Sequence, residues 1–251
     1  MKKLISIVSL LAIVFGLCAC GASAPSAAET TVPPTTTAAP TETTSPYPVP
    51  DKIIALTFDD GPNEHMNAIL DVFAEYGGSA TFYVIGKKVD GKNADYVKRA
   101  VEEGHEIGNH SYSHEDMTVK TDAEILSEIS RTQAAVKEAA GVEPVWYRPP
   151  FLRANDLTYS LIEMPNAGCG VSVGDGSNDN LAEDRHYRLI SGAYDGCIAL
   201  LHCNDITAEI LPTMLHDLKM MGYEFVTTSE LFARVNITPD ATRNSLYKDN
   251  K

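Results

Sequence analysis

Asp59 and Asp60 stand side by side in the run Thr57-Phe58-Asp59-Asp60-Gly61-Pro62, and two histidines bracket the run His110-Ser111-Tyr112-Ser113-His114. Neutral imidazoles are frequent zinc ligands, and two of them with one carboxylate leave a coordination position open for water, as a hydrolytic metal requires. Arg148 begins Arg148-Pro149-Pro150-Phe151, and a buried arginine there needs a carboxylate partner, for which Asp59 is a candidate. His202 follows the apolar run Ile198-Ala199-Leu200-Leu201, so it is placed to leave the core and enter a pocket. Taken singly, each has an ordinary reading: a solvated turn, two surface histidines, a surface arginine, a satisfied core histidine. Their agreement carries more weight than any one of them.

Geometry limits how these side chains can meet. Neighbours on a strand point to opposite faces, so Asp59 and Asp60 share a pocket only where the strand bends, and Gly61-Pro62 supplies a bend. Histidines four apart converge if their segment coils into a helical turn. The elements that must position them alternate along the chain. Strand candidates fall at 53–58, 80–85, 106–109, 145–148, 170–173, 198–202 and 224–227, with amphipathic helical stretches at 66–76, 94–103, 122–140, 185–191 and 208–221. Alternating β and α segments predict an α/β fold of parallel strands with helices packed outside. About seven strands make it a short, incomplete relative of the eight-stranded (β/α) barrel, in which chemistry sits at the C-terminal strand ends. The chemical residues fall there.

The chain of 251 residues carries a formal net charge of −14, so it lacks the basic footprint that nucleic-acid binding needs. Residues 1–20 have the layout of a signal peptide, with Lys2 and Lys3 before the apolar stretch 4–17. Their end, Leu17-Cys18-Ala19-Cys20-Gly21, resembles a bacterial lipoprotein box, which implies cleavage before Cys20 and lipidation of its thiol. Residues 21–50 are rich in Thr, Pro, Ala and Ser and read as a disordered tether. Extended at roughly 3 Å per residue, it would reach up to about 90 Å. The folded part is then 51–235, followed by a polar tail at 236–251. Cys169, Cys197 and Cys203 lie in or beside apolar runs, the pattern of inert core thiols.

The order TFDDGP, HSYSH, RPPF, LLH resembles the polysaccharide deacetylase family, carbohydrate esterase family four, and so do ATFYVIGKKV, VKRAVEEGHEIGNHSYSH, GVEPVWYRPPF and GYEFVTTSEL. The resemblance spans roughly residues 52 to 232. It implies a distorted (β/α) barrel with about seven parallel strands and one divalent metal, with zinc expected, on Asp60, His110 and His114. It implies Asp59 as catalytic base, Arg148 as the residue orienting it, His202 as general acid and the Phe151 N–H as an oxyanion donor. The reaction implied is removal of N-acetyl groups from a peptidoglycan- or chitin-like polysaccharide, and the lipoprotein-like box at Cys20 implies that the protein acts outside the cell, anchored to the outer face of the membrane. An O-acetyl esterase on a xylan-like glycan and a weakly active glycan binder are the rivals. The sequence departs from the family in places. Asp179 best matches the carboxylate that tunes the acidic histidine, with Asp175 as a rival, but Asn180 stands where tryptophan is expected. Cys203 replaces an aspartate and Leu152 a glycine.

Overall fold

The computed structural model describes residues 45–176 and 181–251. The leader with Cys20, most of the tether, and Asp179 lie outside the described residues. The first strand, β1 (Lys52–Gly61), is buried along nearly its whole length, which is the signature of a parallel strand covered on both faces. Its side chains divide by parity. Ile54, Leu56 and Phe58 join the larger core under the helices, while Ala55 belongs to a second cluster with Tyr83, Trp146, Phe232 and Tyr247. Thr57 and Asp59 share the parity of Ala55 and so point into the interior with it.

Among the described residues five further strands follow: β2 (Thr81–Val84), β3 (Glu106–Asn109), β4 (Val171–Ser172), β5 (Cys197–His202) and β6 (Tyr223–Phe225). All pairings are parallel, in the order β3-β2-β1-β5-β4, with β6 beside the start of β1. The helices are α1 (Glu64–Tyr76), α2 (Gly91–Glu102), α3 (Asp122–Ala140), α4 (Asp156–Leu161), α5 (Ala182–Gly192), α6 (Asp205–Met220) and α7 (Thr228–Ala233). Their starts are chemically marked. Asn63 and Asn204 cap α1 and α6, and Thr121 with Glu124 forms a capping box on α3.

The strand expected at 145–148 is reduced to isolated bridges of Tyr147 with Asn109 and Asn166. Pro144, Pro149 and Pro150 crowd this stretch, and a residue without an N–H cannot extend a ladder. The series of bridges continues from Ala167 to Tyr247 and from Cys197 to Asp249, so the last residues of the chain fill the space between β3 and β5. The polar composition of 236–251 concealed this docking, in which Tyr247 and Asn250 are buried. No helix among the described residues is long and apolar enough to cross a membrane.

Candidate active site

By strand parity Asp60 belongs under the helices. It adopts φ 68, and the β1–β2 register shifts between Asp59 and Gly61. This bulge, at the residue itself, turns its carboxylate to the same opening as Asp59. Gly61 faces the core under the helices instead, where an added Cβ would lie 3.3 Å from Cys203 Sγ and 3.4 Å from Met66 Sδ.

Asp59 is 3% exposed and Arg148 is 0% exposed. Arg148 Nη1 donates to Asp59 Oδ1 at 2.8 Å and to Thr57 Oγ1 at 2.7 Å, and Nη2 donates to Gly168 O at 2.7 Å. Its guanidinium carbon lies 4.1 Å from the centre of the Tyr83 ring. Burial pushes the Asp59 pKa up, but Arg148, with His110 and His202, outweighs it, and the pKa is lowered.

Asp60 Oδ1 lies 3.2 Å from His114 Nε2 and 3.6 Å from His110 Nε2. Asp60 Oδ1 is buried yet accepts no hydrogen bond. The three ligand atoms of Asp60, His110 and His114 lie within 4.8 Å of one another. His110 Nδ1 donates to Arg148 O at 2.7 Å, which fixes the tautomer and leaves Nε2 as a lone pair facing Asp60. An orphaned carboxylate oxygen and free imidazole lone pairs at one point suit a divalent cation.

The histidines do not meet on a helical turn, as the i, i+4 spacing suggested. Residues 110–116 form a loop with φ 63 at Ser111 and φ 60 at His114. Its shape comes from α3: Glu128 Oε2 accepts from Tyr112 N at 2.9 Å and Ser113 N at 2.7 Å. Glu128 Oε1 accepts from Ser113 Oγ at 2.8 Å. Sequence reasoning missed Glu128. Its signal was a carboxylate on the buried stripe of α3 that also holds Ile125, Thr132 and Val136.

The opposite wall carries His202. Its Nδ1 lies 2.7 Å from Asp175 Oδ1, and its backbone N donates to Asp175 Oδ2 at 2.8 Å. A carboxylate only accepts, so Nδ1 bears the proton of the neutral ring. Burial disfavours charge on His202, but the Asp175 hydrogen bond and the Asp59 charge outweigh it and raise the pKa. Of the two carboxylates offered for this contact, Asp175 makes it. Asp179, which the family resemblance favours, lies outside the described residues. β4 ends at Ser172 and Gly174 turns with φ 74.

Phe151 and Leu152 take φ 58 and φ 54 at the rim, and the Phe151 ring lies 4.8 Å from that of His114. The turn bonds there run from Leu152 N to Pro149 O and from Arg153 N to Pro150 O, and neither uses the Phe151 N–H. The resulting cleft, about 270 Å³, is lined by Asp59, Asp60, His114, Phe151, Leu200 and His202 among others. Cys203 is buried, and burial pushes its thiol well above its ordinary pKa, away from nucleophile chemistry.

The sequence matches the polysaccharide deacetylase family over residues 47–166. It is 40% identical over 192 residues to a bifunctional xylanase/deacetylase of Pseudobutyrivibrio xylanivorans, a match covering 75% of this chain and 32% of that protein. It is 34% identical over 192 residues to a peptidoglycan-N-acetylglucosamine deacetylase of Bacillus cereus, covering 72% of this chain and 88% of the other. Among solved structures, a family 4 acetyl xylan esterase from Clostridium thermocellum in complex with a cobalt ion superposes with a TM-score of 0.76 at 35% identity. That superposition covers 79% of this chain and 98% of the other. The chain thus spans about a third of the length of the first of these relatives.

Proposed function

The chain belongs to the polysaccharide deacetylase family, and from that premise we propose that it hydrolyses N-acetyl groups of a cell-wall or related polysaccharide, releasing acetate and leaving an amino sugar. The observation that carries the reading is the cleft itself. Ionised Asp59 and proton-bearing His202 face one opening, with Asp60, His110 and His114 gathered beside them. Asp60, His110 and His114 would hold one divalent ion, zinc by the chemistry of its donors, and bound there it would polarise the acetyl carbonyl and activate a water.

Asp59 accepts the proton of the attacking water, and Arg148 keeps its carboxylate ionised and aimed. The Phe151 N–H donates to the carbonyl oxygen as it gains negative charge. His202 Nε2 gives its proton to the leaving nitrogen as the C–N bond breaks and its electron pair passes to nitrogen. Asp175 offsets the charge of the imidazolium before transfer. Acetate release from N-acetylglucosamine oligomers, with and without chelator, tests the assignment; no release at any metal level overturns it. A second reading, O-acetyl ester hydrolysis on a xylan-like glycan, draws support from the likeness to an acetyl xylan esterase. Acetylated xylan beside the oligomers ranks the two.

The lipoprotein-like run ending at Cys20 supports an extracytoplasmic enzyme anchored by acylation of Cys20. Cys20→Ala should then release the protein into the medium. Equal detergent partitioning of variant and wild type would rule the anchor out.

A further inference from the structure

Asp175 comes three residues after the end of β4 at Ser172, beyond Gly174 in the left-handed region. Its buried carboxylate is held by the end of β5 and the first turn of α6. Besides the two bonds from His202, Thr207 Oγ1 donates to Asp175 Oδ2 at 2.6 Å. The Asp175 backbone carbonyl accepts from Asn204 Nδ2 at 3.1 Å. Asn204 Oδ1 in turn accepts from Thr207 N at 2.9 Å and from Arg185 Nη1 at 3.0 Å.

Arg185 is the unusual member. It is 1% exposed, its Nε finds no acceptor, and among the described residues no carboxylate pairs with it. A buried guanidinium is costly unless a nearby negative charge compensates it. Arg185 Nη1 donates to Asn204 Oδ1, which also accepts from Thr207 N; Asn204 Nδ2 then reaches the Asp175 backbone carbonyl and Thr207 Oγ1 its buried carboxylate. Thr207 is itself fully buried, and its hydroxyl can only donate to a carboxylate.

We propose that Thr207, backed by Asn204 and Arg185, is the positioning residue that fixes Asp175 and through it aims the His202 proton at the leaving group. The proposal rests on the deacetylase reading above. None of the three touches the reacting atoms. Their effect is confined to the step in which the proton passes from His202 Nε2 to the departing nitrogen.

That confinement gives the test. An amide cannot expel its nitrogen without protonation, whereas an activated aryl acetate expels an aryl oxide that carries its own charge. In Thr207→Val, kcat/KM on an N-acetylglucosamine oligomer should fall roughly ten- to a hundredfold, the scale of one hydrogen bond to a charged group. Hydrolysis of p-nitrophenyl acetate should fall far less, and bound metal by elemental analysis should match wild type. Thr207→Ser restores the hydroxyl and should restore the ratio of the two activities. Arg185→Met should lower that ratio in the same direction by a smaller factor. Equal loss on both substrates, an unchanged ratio in Thr207→Val, or a Ser variant that behaves like Val each overturns the proposal. A wild type that releases no acetate from the oligomer overturns the functional reading instead.

Discussion

On one side of the cleft, Asp59 sits in the middle of the sheet, paired through β1 with both β2 and β5, and a fully buried arginine anchors it to Thr57 and the Gly168 carbonyl. On the other, Asp175 follows a two-residue strand and is held mainly by bonds donated from residues 202, 204 and 207. The first wall is a charge pair locked inside a sheet. The second is a chain of hydrogen bonds built from a helix start. A charge pair of this kind is unforgiving, because removing one partner strands the other in low dielectric. A hydrogen-bond chain with several donors to one carboxylate loses one contact at a time. The same cleft therefore combines a wall that should fail abruptly with one that should fail by degrees.

The sharpest way to break this contrast lies in the adjacent aspartates of the first wall. Asp59→Asn keeps the volume and loses the charge, so it should retain near-stoichiometric zinc yet lose roughly 10²–10⁴-fold in kcat. Asp60→Asn should instead weaken zinc binding, with activity partly recovered by excess metal. Elemental analysis beside acetate release over a zinc series decides the matter. If Asp59→Asn empties the site and Asp60→Asn leaves it full, the two roles are exchanged.

The next effect is on stability. Arg148→Met leaves the buried Asp59 carboxylate unpaired and should cost roughly 3–5 kcal/mol in denaturant unfolding. Adding Asp59→Asn to that variant should recover part of the loss. Asp175→Asn should cost less, about 1–2 kcal/mol, since a neutral amide still accepts from neighbouring donors. Similar midpoints for Arg148→Met and Asp175→Asn would erase the distinction between the walls.

The two walls also differed in how far the sequence revealed them. Asp59, Asp60, His110, His114 and Arg148 sit in contiguous runs that follow apolar strand candidates, so their place in the sequence exposed them, and the structure brings them together. What the sequence misplaced was the means. Asp60 reaches the cleft through its own positive φ rather than through Gly61-Pro62, and the histidines converge in a loop shaped by Glu128 from a distant helix. His202 was readable for the same reason as Asp59, but its partner was not. Asp175 and Asp179 are close in sequence; Asp175 takes the contacts of His202 and Thr207, and Asp179 lies outside the described residues. The strand at 145–148 and the docked terminus failed for a related reason. Local β pattern does not report prolines that interrupt a ladder, nor a polar tail whose Tyr247 and Asn250 are buried on docking.

The smallest effect, and the one that tests the second wall alone, concerns pH. His202 carries a pKa above the ordinary histidine value because the Asp175 bond, with the Asp59 charge, outweighs burial. As an acid it works only while protonated, so kcat/KM on the amide substrate should decline with rising pH as His202 loses its proton. Asp175→Asn replaces the anion by an amide that no longer favours the imidazolium, while burial continues to oppose it. The proton is then lost more easily, and the alkaline limb should move to lower pH, with the plateau falling roughly ten- to a hundredfold. The acid limb, set by Asp59, should stay where Arg148 holds it, below the usual carboxylate range. Measuring kcat/KM across both limbs for wild type and Asp175→Asn separates the walls in one experiment. An alkaline limb that stays in place would mean that His202 is not the group titrating there, and movement of both limbs together would mean that the walls act as one coupled unit.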